Sequence, residues 1–202
     1  MPLGDAASPD ILEITEPDTK RIRIGLISDT HIPADAKILP PHVREAFKGT
    51  DLILHAGDIY LPSILDELET MAPVLAARGN DDGDFPQDRR FKISHVLNIN
   101  GLSLGLIHRI FFPGTPRDPF DKRTEKDFGQ QVDIIVFGDS HVAVVARHNG
   151  ILLVNPGSPT VPNGLRELGT VALLEIVGKK AEARIVQLSE LPIVFHRELI
   201  YH

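Results

Sequence analysis

Carboxylates, imidazoles and one amide recur along this chain in five short clusters, each directly after an apolar run. Asp29-Thr30-His31 follows Ile27-Ser28, and Gly57-Asp58 follows the run from Leu52 to His55. Gly79-Asn80-Asp81-Asp82 follows Leu75 to Ala77, His108 follows Leu104 to Ile107, and Gly138-Asp139-Ser140-His141 follows Ile134 to Phe137. Oxygen and imidazole donors without thiolate suit manganese, iron or zinc. Two such ions held close together can share one carboxylate and bind both a nucleophilic oxygen and a phosphate oxygen. They also make bound water acidic near neutral pH. Gly57, Gly79 and Gly138 allow tight turns and close backbone approach to a ligand.

Taken singly, each cluster has an ordinary reading. Asp-x-His after a strand is commonly a turn aspartate beside a surface histidine. Gly-Asp is usually a turn. His108 alone fits a core histidine, and Gly138-Asp139-Ser140-His141 alone fits a helix cap. Five clusters of one chemistry, each at the end of an apolar run, are far less probable by coincidence than any one of them.

The elements that must position these residues can be read in outline. Arg21 to Ser28, Leu52 to Asp58 and Val74 to Asp81 read as strands, separated by helical segments at HVREAFKG and PSILDELETM. That alternation predicts parallel pairing through crossover helices. Ligands of such sheets bind beyond the carboxyl ends of the strands, so the clusters are expected to meet at one edge. After Asp84 the pattern changes. Asn100-Gly101, Asn149-Gly150 and Gly178-Lys179-Lys180 each separate two strand-like runs and predict three hairpins. Phe111 to Gln131 is polar and rich in proline and charge. It is expected to hold one helix near Lys122 to Phe128 and to serve as a lid or substrate loop. Two packed sheets with helices outside is the expected assembly.

Residues 1–20 carry three prolines and several acids and read as a poorly ordered extension. Residues 21–202 read as one domain. The chain of 202 residues has no cysteine, which excludes disulfides, thiolate metal sites and a cysteine nucleophile. Its formal net charge of -7 argues against broad nucleic-acid or anionic-membrane binding. No apolar run approaches the roughly 18 residues of a membrane span, and the N-terminus lacks the pattern of a signal peptide. A cytoplasmic location is the expectation. Exposed strand edges and the C-terminal FHRELIYH segment make a homodimer possible.

The ordered set D-x-H, G-D, G-N-x-D, H and G-x-x-H, followed by Asn155-Pro156-Gly157-Ser158, resembles the calcineurin-like metallophosphoesterase superfamily. Within it, the chain is similar to the small single-domain prokaryotic phosphodiesterases, relatives of the retromer subunit of the same fold. The resemblance covers about Ile22 to Leu188. It implies an α+β fold, a four-layer αββα sandwich of two mixed β-sheets flanked by helices. It also implies a two-metal centre. Asp29, His31, Asp58 and His141 would hold one ion. Asp58 would bridge to a second ion completed by Asn80, His108 and Asp139. The Asn155 to Ser158 loop would lie near the site, with Arg78 and Asp82 supporting the asparagine loop.

Two departures stand out. The family usually has Gly-His-Thr-His where this chain has Gly138-Asp139-Ser140-His141, and His-Gly-His where it has His108-Arg109-Ile110. Asp139 would put a third carboxylate on two divalent ions, so the second ion is expected to bind more weakly. Manganese is the expected metal, with iron, zinc, nickel and magnesium as alternatives. Arg109 is a candidate phosphate contact through its fork of donors. His55 is expected beside the site but not as a ligand. The implied activity is hydrolysis of a small phosphate ester, preferably a diester, by a metal-bridging hydroxide. His31, Asp58, Asn80 and Asp82 would be the catalytic residues, with His31 and Asp82 as candidate general acids. The alternative is an inert protein-binding scaffold of the same fold.

Overall fold

The structure is a computed structural model that describes residues 11–17, 19–83, 88–110 and 120–191. Strand β1 is Ile11–Ile14, β2 is Arg21–Ile27, β3 is Leu52–His55, β4 is Val74–Ala77, β5 is Phe91–Lys92 and β6 is Ser94–Ile99. They are followed by β7 at Leu102–Ile107, β8 at Ile134–Val136, β9 at Val144–His148, β10 at Ile151–Asn155, β11 at Thr170–Val177 and β12 at Lys180–Gln187. The helices are α1 (Pro41–Ala46), α2 (Pro62–Glu69) and α3 (Phe120–Phe128).

The strands form two mixed six-stranded sheets, ordered β12-β11-β2-β3-β4-β5 and β1-β6-β7-β8-β10-β9. In the first, β2, β3, β4 and β5 run parallel, and the antiparallel β11–β12 hairpin extends the sheet along β2. In the second, β7, β8 and β10 run parallel, β6 is antiparallel to β7 and β9 to β10, and β1 pairs parallel with β6. All three expected hairpins are present, as β6–β7, β9–β10 and β11–β12.

Strand alternation sorts the side chains into layers. Ile22, Ile24 and Leu26 of β2 point inward, with Leu104 and Leu106 of β7, Ile134 and Val136 of β8, and Leu174 and Ile176 of β11. This layer is the core between the sheets. On the other face of the first sheet, Ile27, Ile53, Val74 and Leu173 meet Val43 and Phe47 around α1 and Ile64, Leu65 and Leu68 of α2. On the outer face of the second sheet, Val96, Ile135 and Leu153 meet Phe128 of α3. Gly105 faces the Phe128 ring and Gly25 faces Phe47, where any Cβ would collide. Helices, sheet, sheet and helix are thus the four layers expected.

Two elements differ from expectation. Ile11–Ile14 is not an unstructured extension. It is an edge strand in parallel register with Val96–Ile99, and the Glu16 amide donates to Asn100 Oδ1 at 2.9 Å. The short β5 pairs with β4, and no sequence signal marked it. Helix α3 covers the expected helical stretch. Residues 111–119 of the expected lid fall outside the described residues, as do residues 1–10 and the C-terminal segment.

Candidate metal centre

Every polar cluster lies just past the carboxyl end of a strand, and the facing sheets bring five of them together. Asp29 and His31 follow β2, Asp58 follows β3, Asn80 follows β4, His108 follows β7, and Asp139 and His141 follow β8. Among the described residues, three sets have ligand atoms that lie within 4.8 Å of one another: Asp29, His31 and His141; Asp29, Asp58 and His108; and His31, Asp58 and Asp81.

The backbone here is strained in a way the sequence does not announce. Asp29, His31, Asp58, Tyr60, Asp139 and His141 all have φ between 48° and 72°. This left-handed conformation costs a non-glycine residue on the order of 1–3 kcal/mol and persists only where surrounding contacts fix it. Those contacts are present. The Asp29 amide donates to Gly57 O at 2.9 Å, the His31 amide to Asp58 O at 3.1 Å, and the Asp139 amide to Asp29 Oδ1 at 3.2 Å. Gly79 and Gly138 make the approach possible. A Cβ on the first would run into Asp58, and on the second into Ser28 and Asp29.

Each imidazole is pinned at one nitrogen, which leaves the other for the site. His108 Nδ1 lies 2.7 Å from Ala56 O, and His141 Nδ1 lies 3.0 Å from Val161 O, so both Nδ1 atoms donate. His31 Nδ1 lies 3.2 Å from the Tyr60 hydroxyl, which itself donates to Asp81 Oδ2 at 3.3 Å. Such partners fix the tautomer of a metal-binding histidine. The three Nε2 lone pairs then face oxygens. His31 Nε2 and His108 Nε2 are both 3.4 Å from Asp58 Oδ2, and His141 Nε2 is 3.5 Å from Asp29 Oδ1. His108 Nε2 is also 3.1 Å from Asn80 Oδ1.

Nitrogens and carboxylate oxygens set face to face in this way need a proton or a metal cation between them. Asp29 Oδ2 and His31 Nε2 are buried and make no hydrogen bond. Unpaired buried polar atoms cost free energy unless something satisfies them. The donor set, carboxylate and imidazole without sulfur, matches borderline and hard divalent ions. The residues therefore fit a divalent metal, with the Asp58 carboxylate between the two imidazoles.

Around this centre lies a second ring of contacts. Ser158 Oγ donates to Asp29 O at 2.7 Å, Thr160 Oγ1 donates to Thr30 O at 2.8 Å, and Asn155 Nδ2 donates to Gly138 O at 2.8 Å. The Asn155 to Ser158 loop thus buttresses two ligand loops at once. His55 is fully buried, takes the Gly57 amide on Nδ1 at 3.1 Å and lies 3.2 Å from Thr30 Oγ1. Burial holds its pKa down at about 3, so it is a neutral brace.

Asp82 is bonded into the loops around Asp58. Its two oxygens accept four backbone amides: Asp58 at 2.9 Å, Ile59 at 2.6 Å, Tyr60 at 2.8 Å and Gly79 at 2.8 Å. Both oxygens are thus engaged by backbone amides of the loops after β3 and β4. Two residues that sequence reasoning passed over belong to the site. Asp81 adds a carboxylate to the His31–Asp58 group, and Tyr60 links Asp81 to His31. Only the position of Asp81 beside Asn80 hinted at this. Arg109 and Asp139 sit at the exposed rim, joined by Nη2 to Oδ1 at 2.5 Å.

The family model for the calcineurin-like phosphoesterase superfamily domain matches residues 22–179. The chain belongs to the calcineurin-like phosphoesterase superfamily. A probable metallophosphoesterase of Methanothermobacter thermautotrophicus is 38% identical over 170 residues, covering 81% of this chain and 91% of the relative. Another, from Methanocaldococcus jannaschii, is 36% identical over 169 residues, 83% of this chain and 82% of the relative. Among solved structures, vacuolar protein sorting 29 from Cryptosporidium parvum superposes with a TM-score of 0.64 at 21% identity. That match covers 82% of this chain and 97% of the other, and it shows the shared fold.

Charge in this calcineurin-like site is balanced by protons when no ion is bound. Burial pushes the Asp29 carboxyl up to about 6, and the His108 and His141 imidazoles offset only part of that. Burial alone would lower His108, but the carboxylates of Asp58 and Asp29 outweigh it and take the imidazole up to about 9. Burial likewise opposes ionisation of Asp58. His108, His31 and the Asp81 amide overcome it and hold the carboxyl well below its usual range. A protonated His108 cannot ligate, so a metal must displace its proton. Raising the pH removes that competition. Metal affinity is therefore expected to rise from pH 6 to pH 9, up to about tenfold per unit for each displaced proton. Titration calorimetry with Mn2+ at pH 7.5, in buffers of different ionisation enthalpy, should show about one proton or more released per site that uses His108. Affinity independent of pH, with no proton release, would contradict the assignment.

Proposed function

We propose that this chain is a metal-dependent phosphoesterase that prefers small phosphodiesters and works with two divalent ions, manganese first. The observation that carries this reading is the single Asp58 oxygen set 3.4 Å from two imidazole nitrogens on two different loops. A carboxylate so placed serves two cation positions at once. Asp29, His31 and His141 would complete one position. Asn80, His108 and Asp139 would surround the other. Bound ions would polarise a phosphoryl oxygen and make water acidic enough to act as a nucleophile near neutral pH.

The chain's own residues have three tasks in this reaction. Asp58 and Asp29 hold negative charge in a buried setting. The Ala56 and Val161 carbonyls and the Tyr60 hydroxyl keep the imidazoles turned toward the centre. Arg109, with its side chain 55% exposed at the rim, can reach a phosphoryl oxygen from solvent and neutralise charge that develops there. No protein nucleophile is needed. Among the described residues no helix is long and apolar enough to cross a membrane.

The test is hydrolysis of bis(p-nitrophenyl) phosphate by protein stripped with chelator. Added Mn2+ should restore turnover by two orders of magnitude or more, which corresponds to about 3 kcal/mol of barrier. A folded protein that stays inert with every divalent metal would instead favour a protein-binding scaffold on this fold.

A further inference from the structure

The rim of the site holds a cation of its own. Arg109 Nη2 lies 2.5 Å from Asp139 Oδ1 and 3.0 Å from Asn80 Oδ1. His108 Nε2 lies 3.1 Å from that Asn80 oxygen and 3.6 Å from that Asp139 oxygen. One guanidinium nitrogen therefore sits against two of the three groups that would surround the second ion. The three groups are already gathered. The Asp139 backbone is held by its amide bond to Asp29, Asn80 Nδ2 is engaged by Asp81 Oδ1 at 3.0 Å, and His108 is pinned by Ala56. Arg109 is the most exposed of the three charged partners, its side chain 55% exposed against 30% for Asp139 and 5% for His108.

We propose that Arg109 is a built-in counter-ion for the Asn80–His108–Asp139 position, and that a divalent cation can occupy that position only by displacing the guanidinium. This rests on the metallophosphoesterase reading and adds a device to it. The third carboxylate, Asp139, would otherwise attract cations to the site. Arg109 neutralises that carboxylate without a metal and sets a threshold for the second ion. Displaced, the same planar fork is free to take two oxygens of a phosphate ester. Loading of the second ion and release of a phosphate-binding arginine thus become one event.

The proposal separates the two metal positions, because Arg109 touches ligands of one and not of the other. The experiment is Mn2+ binding, followed by calorimetry and by the EPR signal of free Mn2+, for the wild type, Arg109→Ala, Asp139→Asn and the double variant. The expected result is a second site about three- to tenfold tighter in Arg109→Ala, the range for a partly exposed ion pair. The first site should change less than twofold. In the Asp139→Asn background, Arg109→Ala should have a clearly smaller effect, since the ion pair is already broken and only the contact with Asn80 remains. Equal tightening of both sites, or the same tightening with Asp139 already neutral, would mean a general field effect and overturn the proposal. An unchanged or weaker second site in Arg109→Ala would also overturn it. If none of the four proteins takes up Mn2+, both this inference and the phosphoesterase reading fall. If Mn2+ binds and only the Arg109 effect is missing, the reading stands without the device.

Discussion

Asp58→Asn is expected to abolish metal-dependent hydrolysis while leaving the fold intact. The carboxylate has two different oxygens. Oδ1 accepts the Asp81 amide at 3.0 Å, and Oδ2 faces His31 Nε2 and His108 Nε2, each at 3.4 Å. Asparagine has the same shape. Its carbonyl can take the Oδ1 role, which puts its amide nitrogen where Oδ2 was. That nitrogen would donate toward both imidazole lone pairs and satisfy without a cation the contacts that otherwise call for one. The variant should therefore unfold at a temperature near that of the stripped wild type. It should lose the stabilisation that bound metal gives the wild type, because a ligand that binds only the folded state stabilises it by mass action. Turnover should drop by at least about a thousandfold, or about 4 kcal/mol. Activity within tenfold of wild type, still dependent on Mn2+, would remove Asp58 from the centre of the site.

The sequence carried this residue openly because its position is set by local pattern. A strand of four buried residues, LILH, ends at His55, and Gly57-Asp58 is the turn that follows. Asp29, Asn80, His108 and His141 were legible for the same reason. The sandwich was legible because Ile22, Ile24 and Leu26 alternate against Gly25 and Ile27, and because each hairpin has its own turn signal. What stayed hidden depends on residues far apart in the chain. Ile11–Ile14 lies between Pro9 and Pro17 among acids and has the composition of an unstructured arm. It becomes a strand because Val96–Ile99 offers an open edge. Tyr60 reads as a residue after a turn. Only the fold places its hydroxyl between His31 and Asp81, where burial and Asp81 push it up to about 12 and so keep its proton. The left-handed φ angles of the ligand loops were equally invisible, because they are imposed by bonds between loops and not by the residue types.

Asp82 was expected among the catalytic residues, and its replacement has the second large expected effect. Asp82 Oδ1 takes the amides of Ile59 and Tyr60, and Oδ2 takes those of Asp58 and Gly79. It therefore ties the loop after β3 to the loop after β4 and fixes the Asp58 backbone at φ 57°. Asp82→Ala leaves four amide donors without an acceptor in a buried pocket. Each such group costs about 1–3 kcal/mol, reduced where water can enter the space left behind, so a loss of about 3–5 kcal/mol is expected. The melting temperature should fall by about 10 °C or more. Asp82→Asn should not rescue it. Whichever way the amide is turned, its NH2 faces two backbone N–H donors, so one half of the bond set becomes a repulsion. Kinetics distinguish this role from acid catalysis. A general acid matters for poor leaving groups and little for p-nitrophenolate, so loss of an acid would spare bis(p-nitrophenyl) phosphate and slow an alkyl diester. Loss of a loop tie displaces Asp58 and slows both alike. Near-normal hydrolysis of the nitrophenyl diester by a stable Asp82→Asn protein, with alkyl diester turnover lost, would return Asp82 to the role of proton donor. Parallel loss on both substrates, with a lowered melting temperature, would leave it as the strut that holds the Asp58 carboxylate between two histidines.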